Sequence, residues 1–183
     1  MNGVLRTRVG YCGGATAHPT YQSIGDHTEG ISIDYDPSVL SYSDFLTLFW
    51  KSHSCRYQAP SRQYMIAVFP RNEEQQQLAQ QSLESHAAEQ GMTVEQVRSQ
   101  IVPIEQFTLA EKYHQKYAIS SRDDLRAFLD ETYPGIKSFA DSTVAARLNG
   151  LQSSSPEARA RALVDLTEFG LPEVLEARLR SGK

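Results

Sequence analysis

The chain has 183 residues, 40% of them hydrophobic and 22% charged, enough for one domain with a buried core and too apolar for a disordered tail. Its 18 Lys and Arg against 22 Asp and Glu leave a formal charge of -4, which gives no electrostatic reason to expect nucleic acid or an anionic membrane as partner. Two cysteines, Cys12 and Cys55, are too few for a disulfide scaffold and lack metal-ligand spacing, so a reducing, cytoplasmic setting is expected.

The opening "MNGVLRTRVGYCGG" has no charged head followed by an apolar run, and no secretory or organellar signal is read there. No segment approaches the roughly 20 apolar residues of a membrane-crossing helix. "VLRTRVGY" alternates as a strand, with Val4, Arg6 and Arg8 opposite Leu5, Thr7 and Val9. "EGISIDYDP" is a second strand, placing Ile31, Ile33 and Tyr35 on one face before the Asp36-Pro37 turn. "SYSDFLTLFWKSH" predicts a helix capped by Ser41 or Ser43, with Phe45, Leu46, Phe49 and Trp50 on one stripe. "QYMIAVFP" is an apolar run ended by Pro70 and predicts a buried strand.

Asn72 to Glu89 predicts a polar surface helix with Leu78, Ala79 and Leu83 inward and Gly91 closing it. A short strand follows around Ile101 to Ile104. Alternating strands and helices of this kind predict helices packed on a small sheet, α+β or α/β. After Tyr117 the text turns helical and charged. Ser121 and Ser154 are candidate caps, Pro156 suits a first turn, and Leu163, Leu166 and Phe169 form a stripe. The Ser-rich break at 151–156 is the one boundary read here, dividing a domain at 1–150 from a helical extension at 151–183 that is not an independent domain.

Several residues could carry chemistry. Glu29 stands at the mouth of the second strand, where a carboxyl beside aromatics can keep its proton and donate it; the plain alternative is a solvated loop acid. Tyr21, Tyr57 and Tyr64 offer phenolic donors suited to a sulfoxide, carbonyl or phosphate oxygen. Phe49 and Trp50 could wall an apolar pocket or simply fill the core. Cys12, among glycines, could be accessible, whereas "HSC" at 53–55 gives weak support for a histidine-assisted Cys55, because i,i+2 spacing does not make side chains face. No phosphate-binding glycine order and no metal-ligand set is present.

Taken together, "GYCGG", "HPTY", "GDHTE" before "IDYDP", "LSYSDFLTLFWKSH", "SRQYMIAVFPRNEEQ", "FTLAEKYHQKY" and "STVAARLNG" closely resemble the methionine sulfoxide reductase A (MsrA) family, from Asn2 to about Asn149. The resemblance implies an α+β fold, a small mixed sheet wrapped by helices and long loops on a ferredoxin-like core. It implies thiol-dependent reduction of the S-epimer of methionine sulfoxide, in proteins or as the free amino acid. A cysteine thiolate attacks the sulfoxide sulfur while a glutamic acid protonates its oxygen, giving methionine and a sulfenic acid that thioredoxin or another external thiol reduces. No bound cofactor or metal is implied.

On that resemblance Glu29 matches the proton donor, in preference to Asp26, and Tyr21 and Tyr64 match the tyrosines that hydrogen-bond the sulfoxide oxygen. Ala59 stands where many relatives carry a supporting aspartate. The family nucleophile lies in "GCFWG", upstream of "GYxGG", and this motif does not occur in the 183 residues. The expectation is therefore an N-terminally truncated member without its first strand and nucleophile, with activity lost or much reduced, and a partner or second copy covering the open sheet edge. Two alternatives stand beside it: a non-catalytic peptide-binding or regulatory protein on the same fold, and a thiol enzyme repurposed around Cys12 or Cys55.

Overall fold

A computed structural model of the chain describes residues 3–104, 106–153 and 155–182. They form two compact units, one made of Met1–Val4 with Val9–Ala110 and the other of Leu5–Arg8 with Glu111–Lys183. The architecture is α+β, with two small sheets among helices, as the sequence predicts.

Strand β1, Val4–Cys12, is the middle of a three-stranded sheet between β2, Thr28–Tyr35, and a third strand that ends the first unit. Helix α1, Tyr42–Lys51, starts at Ser41. The Ser41 hydroxyl accepts from the Asp44 amide at 3.1 Å, and the Asp44 carboxylate accepts from the Ser41 amide at 2.8 Å, a reciprocal capping box. Of its apolar stripe, Leu46 and Trp50 are buried. Trp50 stacks on His86 and its Nε1 donates to Ser82 Oγ at 3.1 Å, so Trp50 is a core residue and not a pocket wall.

The expected buried strand in "QYMIAVFP" shrinks to β3, Ala67–Val68, half-buried. Its neighbours are claimed by a 3-10 turn at Arg62–Tyr64 and by Pro70. Helix α2, Glu73–Glu89, is capped by Asn72, whose side chain accepts from the Gln75 amide at 2.8 Å. It ends with the Met92 amide returning to the Ala87 carbonyl at 2.9 Å, past Gly91. Ala79, Leu83 and Ala87 form its buried stripe, and Leu83 and Ala87 join Trp50, Cys55 and Val97 in a core cluster. Strand β4, Gln100–Ile101, pairs parallel with β3 and is shorter than the predicted Ile101–Ile104 segment, whose backbone continues as coil.

The sequence reading missed β5, Phe107–Leu109, which pairs antiparallel with β1 in the register Gly10↔Leu109, Tyr11↔Thr108 and Cys12↔Phe107. A side chain at position 10 would put its Cβ 2.3 Å from the Thr108 carbonyl oxygen, so the close approach of the two strands requires Gly10. Strand β2 is an outer strand, and Ile31 on it is 60% exposed.

The second unit is helical: α3, Asp123–Thr132; α4, Ile136–Asp141; α5, Thr143–Ser153; α6, Pro156–Ala162; and α7, Glu173–Ser181. Leu125, Leu129, Phe139, Leu148, Leu151, Leu166, Phe169 and Leu179 make one core. That core runs through Leu151, so the expected break at 151–156 lies inside this unit. Ser121 does not cap α3, which begins after Arg122; Ser155 accepts from the Ala158 amide at 3.3 Å at the head of α6, with Pro156 in its first turn. Ser154 lies outside the described residues.

The Leu5–Arg8 stretch of β1 is held in this unit by charge. Arg8 pairs with Asp141, and the buried Lys116 ammonium donates to the Thr7 carbonyl, to Thr7 Oγ1 at 3.1 Å and to the Ala140 carbonyl at 3.0 Å. Burial, reinforced by the Arg8 charge, pushes the Lys116 pKa down from 10.5 to about 8. Below pH 8 the folded chain carries the full cost of a buried ammonium. Between about 8 and 10.5 the unfolded chain binds more protons than the folded one, and stability rises with pH. Urea unfolding should therefore show a gain of about 1–2 kcal/mol from pH 7.5 to 9.5. The gain should be absent in Lys116→Met, and an unchanged pH slope in that variant would contradict the assignment.

Candidate functional site

The candidate residues lie in the first unit, around the loop 13–27, the start of β2 and the 3-10 turn Arg62–Tyr64. Asp26 organises the loop. Its carboxylate accepts from the Ala15 amide at 2.9 Å, from the Thr16 amide at 2.9 Å and from the Thr16 hydroxyl at 2.7 Å. These donors, the Ala15 amide first, hold the Asp26 carboxyl far below the usual carboxylate range. His27 is buried and its Nε2 lies 2.8 Å from the Thr16 carbonyl oxygen, closing the same loop from the other side.

The turn is fastened to that loop by two bonds and to the head of β2 by a third. Arg62 Nε donates to the Asp26 carbonyl at 2.5 Å and Arg62 Nη2 to the Gly13 carbonyl at 2.7 Å. Thr28 Oγ1, at the first position of β2, donates to the Arg62 carbonyl at 2.8 Å. The next two residues of the turn then face the candidate acid and the candidate phenol. Gln63 Nε2 donates to Glu29 Oε1 at 2.6 Å. The Tyr64 hydroxyl is hydrogen-bonded to Tyr21, and this bond, with the nearby Tyr21 and Glu29 charges adding to it, raises the Tyr64 pKa above its ordinary value of 10.0.

Tyr64 is thus a neighbour of both Tyr21 and Glu29, although it stands 43 and 35 residues after them. Tyr21 is 41% exposed and Tyr64 50%, while Glu29 is half-buried, so the group opens to solvent. A cluster of two phenols and a carboxyl can give hydrogen bonds to an anionic or strongly dipolar oxygen and can pass it a proton. Tyr57 is also exposed, and Ala59 brings no polar side chain. Among the described residues no group of three His, Cys, Asp or Glu is placed to hold a metal.

The two thiols are differently placed. The glycines around Cys12 do not open it to solvent. They let two strands close on it, since Cys12 is 2% exposed, its Sγ lies 3.5 Å from the Thr28 carbonyl oxygen, and a Cβ at Gly30 would sit 2.7 Å from that sulfur. Burial pushes the Cys12 thiol up from 9.0 to about 11. Cys55 is buried between α1 and α2 with its Sγ 3.8 Å from Met92 Sδ. His53 turns instead to Ser99, with Nε2 and Oγ 2.7 Å apart, so "HSC" makes no histidine–thiol pair.

Gln63 and Arg62 were not singled out by the sequence reading, although both stand in the quoted "SRQYMI". Their signal was adjacency to Tyr64, but which way each side chain leaves a 3-10 turn is set by tertiary contacts that spacing does not encode.

At pH 8 the thiolate fraction of a thiol at about 11 is about 100-fold below that of one at 9. Iodoacetamide labelling of the folded chain followed by peptide mass spectrometry should find Cys12 modified at least that much more slowly than in urea. Rapid labelling of Cys12 in the folded chain would show the thiol to be open.

Comparison with known proteins agrees with this fold and its motifs. The model of the family described as peptide methionine sulfoxide reductase matches residues 1–145. A peptide methionine sulfoxide reductase of Drosophila melanogaster is 42% identical over 150 residues, covering 81% of this chain and 58% of that protein. The MsrA of Methanothermobacter thermautotrophicus is 35% identical over 126 residues, covering 64% of this chain and 74% of its own. The chain spans about 58–59% of the length of the fly relative and of two plant A5 relatives. Among solved structures, methionine sulfoxide reductase A of Corynebacterium diphtheriae aligns with a TM-score of 0.55 at 25% identity, covering 67% of this chain and 66% of its own. Mxr1 of Saccharomyces cerevisiae in reduced form gives 0.55 at 22% over 66% of this chain and 74% of its own, a likeness of fold. The chain belongs to the peptide methionine sulfoxide reductase family.

Proposed function

We propose that this chain carries the sulfoxide-oxygen side of a methionine sulfoxide reductase site, and that on its own it binds the S-epimer while turning it over little or not at all. The observation that carries the reading is the convergence of Glu29, Tyr21 and Tyr64 about the Arg62–Tyr64 turn. A sulfoxide oxygen bears much of the negative charge of its bond and accepts two hydrogen bonds well. Tyr21 and Tyr64 are the donors in this scheme, and the raised Tyr64 pKa keeps its hydroxyl protonated at neutral pH. Glu29 delivers the proton as the S–O bond breaks, turning a poor leaving oxygen into a hydroxyl.

The sulfur half of the reaction needs a soft nucleophile that ends as a sulfenic acid. Cys12 is buried with its thiol pushed up to about 11, and Cys55 is part of the α1–α2 core, so neither supplies an accessible thiolate. This supports the reading of a chain that recognises the sulfoxide without a usable thiol of its own, and disfavours repurposing around either cysteine. Where a reactive thiol is supplied, the proposed reductant of its sulfenic acid is thioredoxin or another external thiol, with no bound cofactor. The proposed substrates are methionine sulfoxide in proteins or as the free amino acid. The proposed setting is cytoplasmic, in keeping with two free cysteines; among the described residues no helix is long and apolar enough to cross a membrane.

The test pairs turnover with binding. Purified chain with dithiothreitol and N-acetyl-methionine S-sulfoxide should form no more N-acetyl-methionine than its Cys12→Ser Cys55→Ser double variant. NMR titration with the same ligand should shift the side-chain signals of Tyr21 and Tyr64, and Tyr64→Phe should weaken binding roughly three- to tenfold. Turnover lost in the double variant would transfer the function to one of the two cysteines. Absence of any ligand-dependent shift would remove the oxygen-binding reading.

A further inference from the structure

We infer that Gln63 is the positioning residue of Glu29: its side-chain amide fixes Oε1 as an acceptor, so that the transferable proton of the acid is carried on Oε2. The inference deepens the reading of Glu29 as proton donor and rests on it for its functional meaning. Its structural part stands on the geometry alone.

A carboxyl has two oxygens, and a protonated one donates from whichever oxygen is not engaged as an acceptor. At 2.6 Å the Gln63 Nε2 donor is close enough to Oε1 to make protonation of that oxygen costly, because proton and amide N–H would compete for one place. The donor is itself held. Gln63 is the middle residue of a 3-10 turn whose first residue is anchored by Arg62 to the Asp26 and Gly13 carbonyls and by Thr28 to its own carbonyl. Thr28 is fully buried and directly precedes Glu29 in β2, so the donor and the acid are fixed to each other through one short, bonded path. A side chain with a single rigidly placed donor on one oxygen gives the other oxygen a defined direction, which general-acid transfer requires.

Tyr21, Tyr64, Asp26, Arg62 and His27 are the charged and titratable groups placed near this pair among the described residues. Tyr64 and Tyr21 are hydrogen-bonded to each other, Asp26 is held ionised by its loop, Arg62 is engaged by two carbonyls, and His27 contacts the Thr16 carbonyl. His27 is present in every variant below and contributes the same background to each.

Two readouts test the assignment. In 15N-resolved NMR spectra of the unliganded chain, the Gln63 side-chain amide signals should move with pH as Glu29 ionises, and should stop moving in Glu29→Gln. In ligand titrations with N-acetyl-methionine S-sulfoxide, Gln63→Leu should bind about tenfold more weakly at both pH 5 and pH 8. Gln63→Glu, the same shape with the donor removed, should bind nearly as wild type at pH 5, where the two carboxyls share a proton. At pH 8 two carboxylates would stand where one amide bond did, and affinity should fall at least about tenfold further than in wild type.

Equal losses in Gln63→Leu and Gln63→Glu at both pH values would reduce Gln63 to a packing residue and overturn the inference, as would amide signals indifferent to Glu29. Wild-type chain that fails to bind the sulfoxide, with the Gln63 signals still following Glu29, would instead overturn the oxygen-binding reading and leave the pairing of Gln63 with Glu29 standing.

Discussion

The Arg62 guanidinium decides where Glu29, Tyr21 and Tyr64, the proposed oxygen-binding groups, stand. Its two bonds to the Asp26 and Gly13 carbonyls draw the 62–64 turn onto the loop 13–27, and the Thr28 hydroxyl fixes the turn's own carbonyl to the head of β2. Hydrogen bonds from a charged donor to neutral carbonyls are worth more than neutral ones, and a planar fork directs both at once. Once the turn is fixed, its remaining side chains have little choice: Gln63 meets Glu29 and Tyr64 meets Tyr21. Lysine in place of Arg62 would keep the charge while losing the fork, and with it the common placement of both neighbours.

The same strands that bring Glu29 to this turn bury Cys12. Gly30 and Thr28 flank Glu29 along β2, and the Cys12 sulfur lies against both, one by van der Waals contact and one through its carbonyl. Alternation along a strand sends neighbouring side chains to opposite faces. The residues on either side of Glu29 therefore serve the interior while Glu29 itself is left to the other face. A cysteine placed there stabilises as a small apolar group, and desolvation works against the thiolate that chemistry would need. One strand thus leaves a carboxyl half-buried and helps bury a thiol in the same geometry.

The legible parts of the fold were those written in local chemistry. The serine cap of α1, left open between Ser41 and Ser43, the extent of α2 with Gly91 closing it, and the apolar stripes of both helices all depend on spacings within a turn or two. Strand β5 was not legible, because three residues are too few to establish a period, and its place beside β1 depends on Gly10 allowing a backbone approach from about 100 residues away. The "QYMIAVFP" run misled for a related reason: apolar content indicates burial but cannot tell a strand from a 3-10 turn followed by two paired residues. At the site, Glu29, Tyr21 and Tyr64 could be named from motifs, whereas Arg62 and Gln63, which hold them in place, carry no motif that says so. The Lys116 contacts with Thr7 and Ala140 were equally hidden, since nothing in "HQKY" marks its lysine as buried.

Two carboxylates stand three residues apart in "GDHTE", and their surroundings separate their tasks. Asp26 accepts from the Ala15 and Thr16 amides and from the Thr16 hydroxyl, and all of these bonds favour its charged form. Protonating it would break the loop's internal ties, so at neutral pH it is a fixed charge that shapes backbone and cannot serve as an acid. Glu29 accepts one amide N–H, from Gln63 at Oε1, and sits half-buried near the Tyr64 hydroxyl. That difference between an anchoring carboxylate and a less heavily bonded one is the physical argument behind the proposal that proton transfer belongs to Glu29.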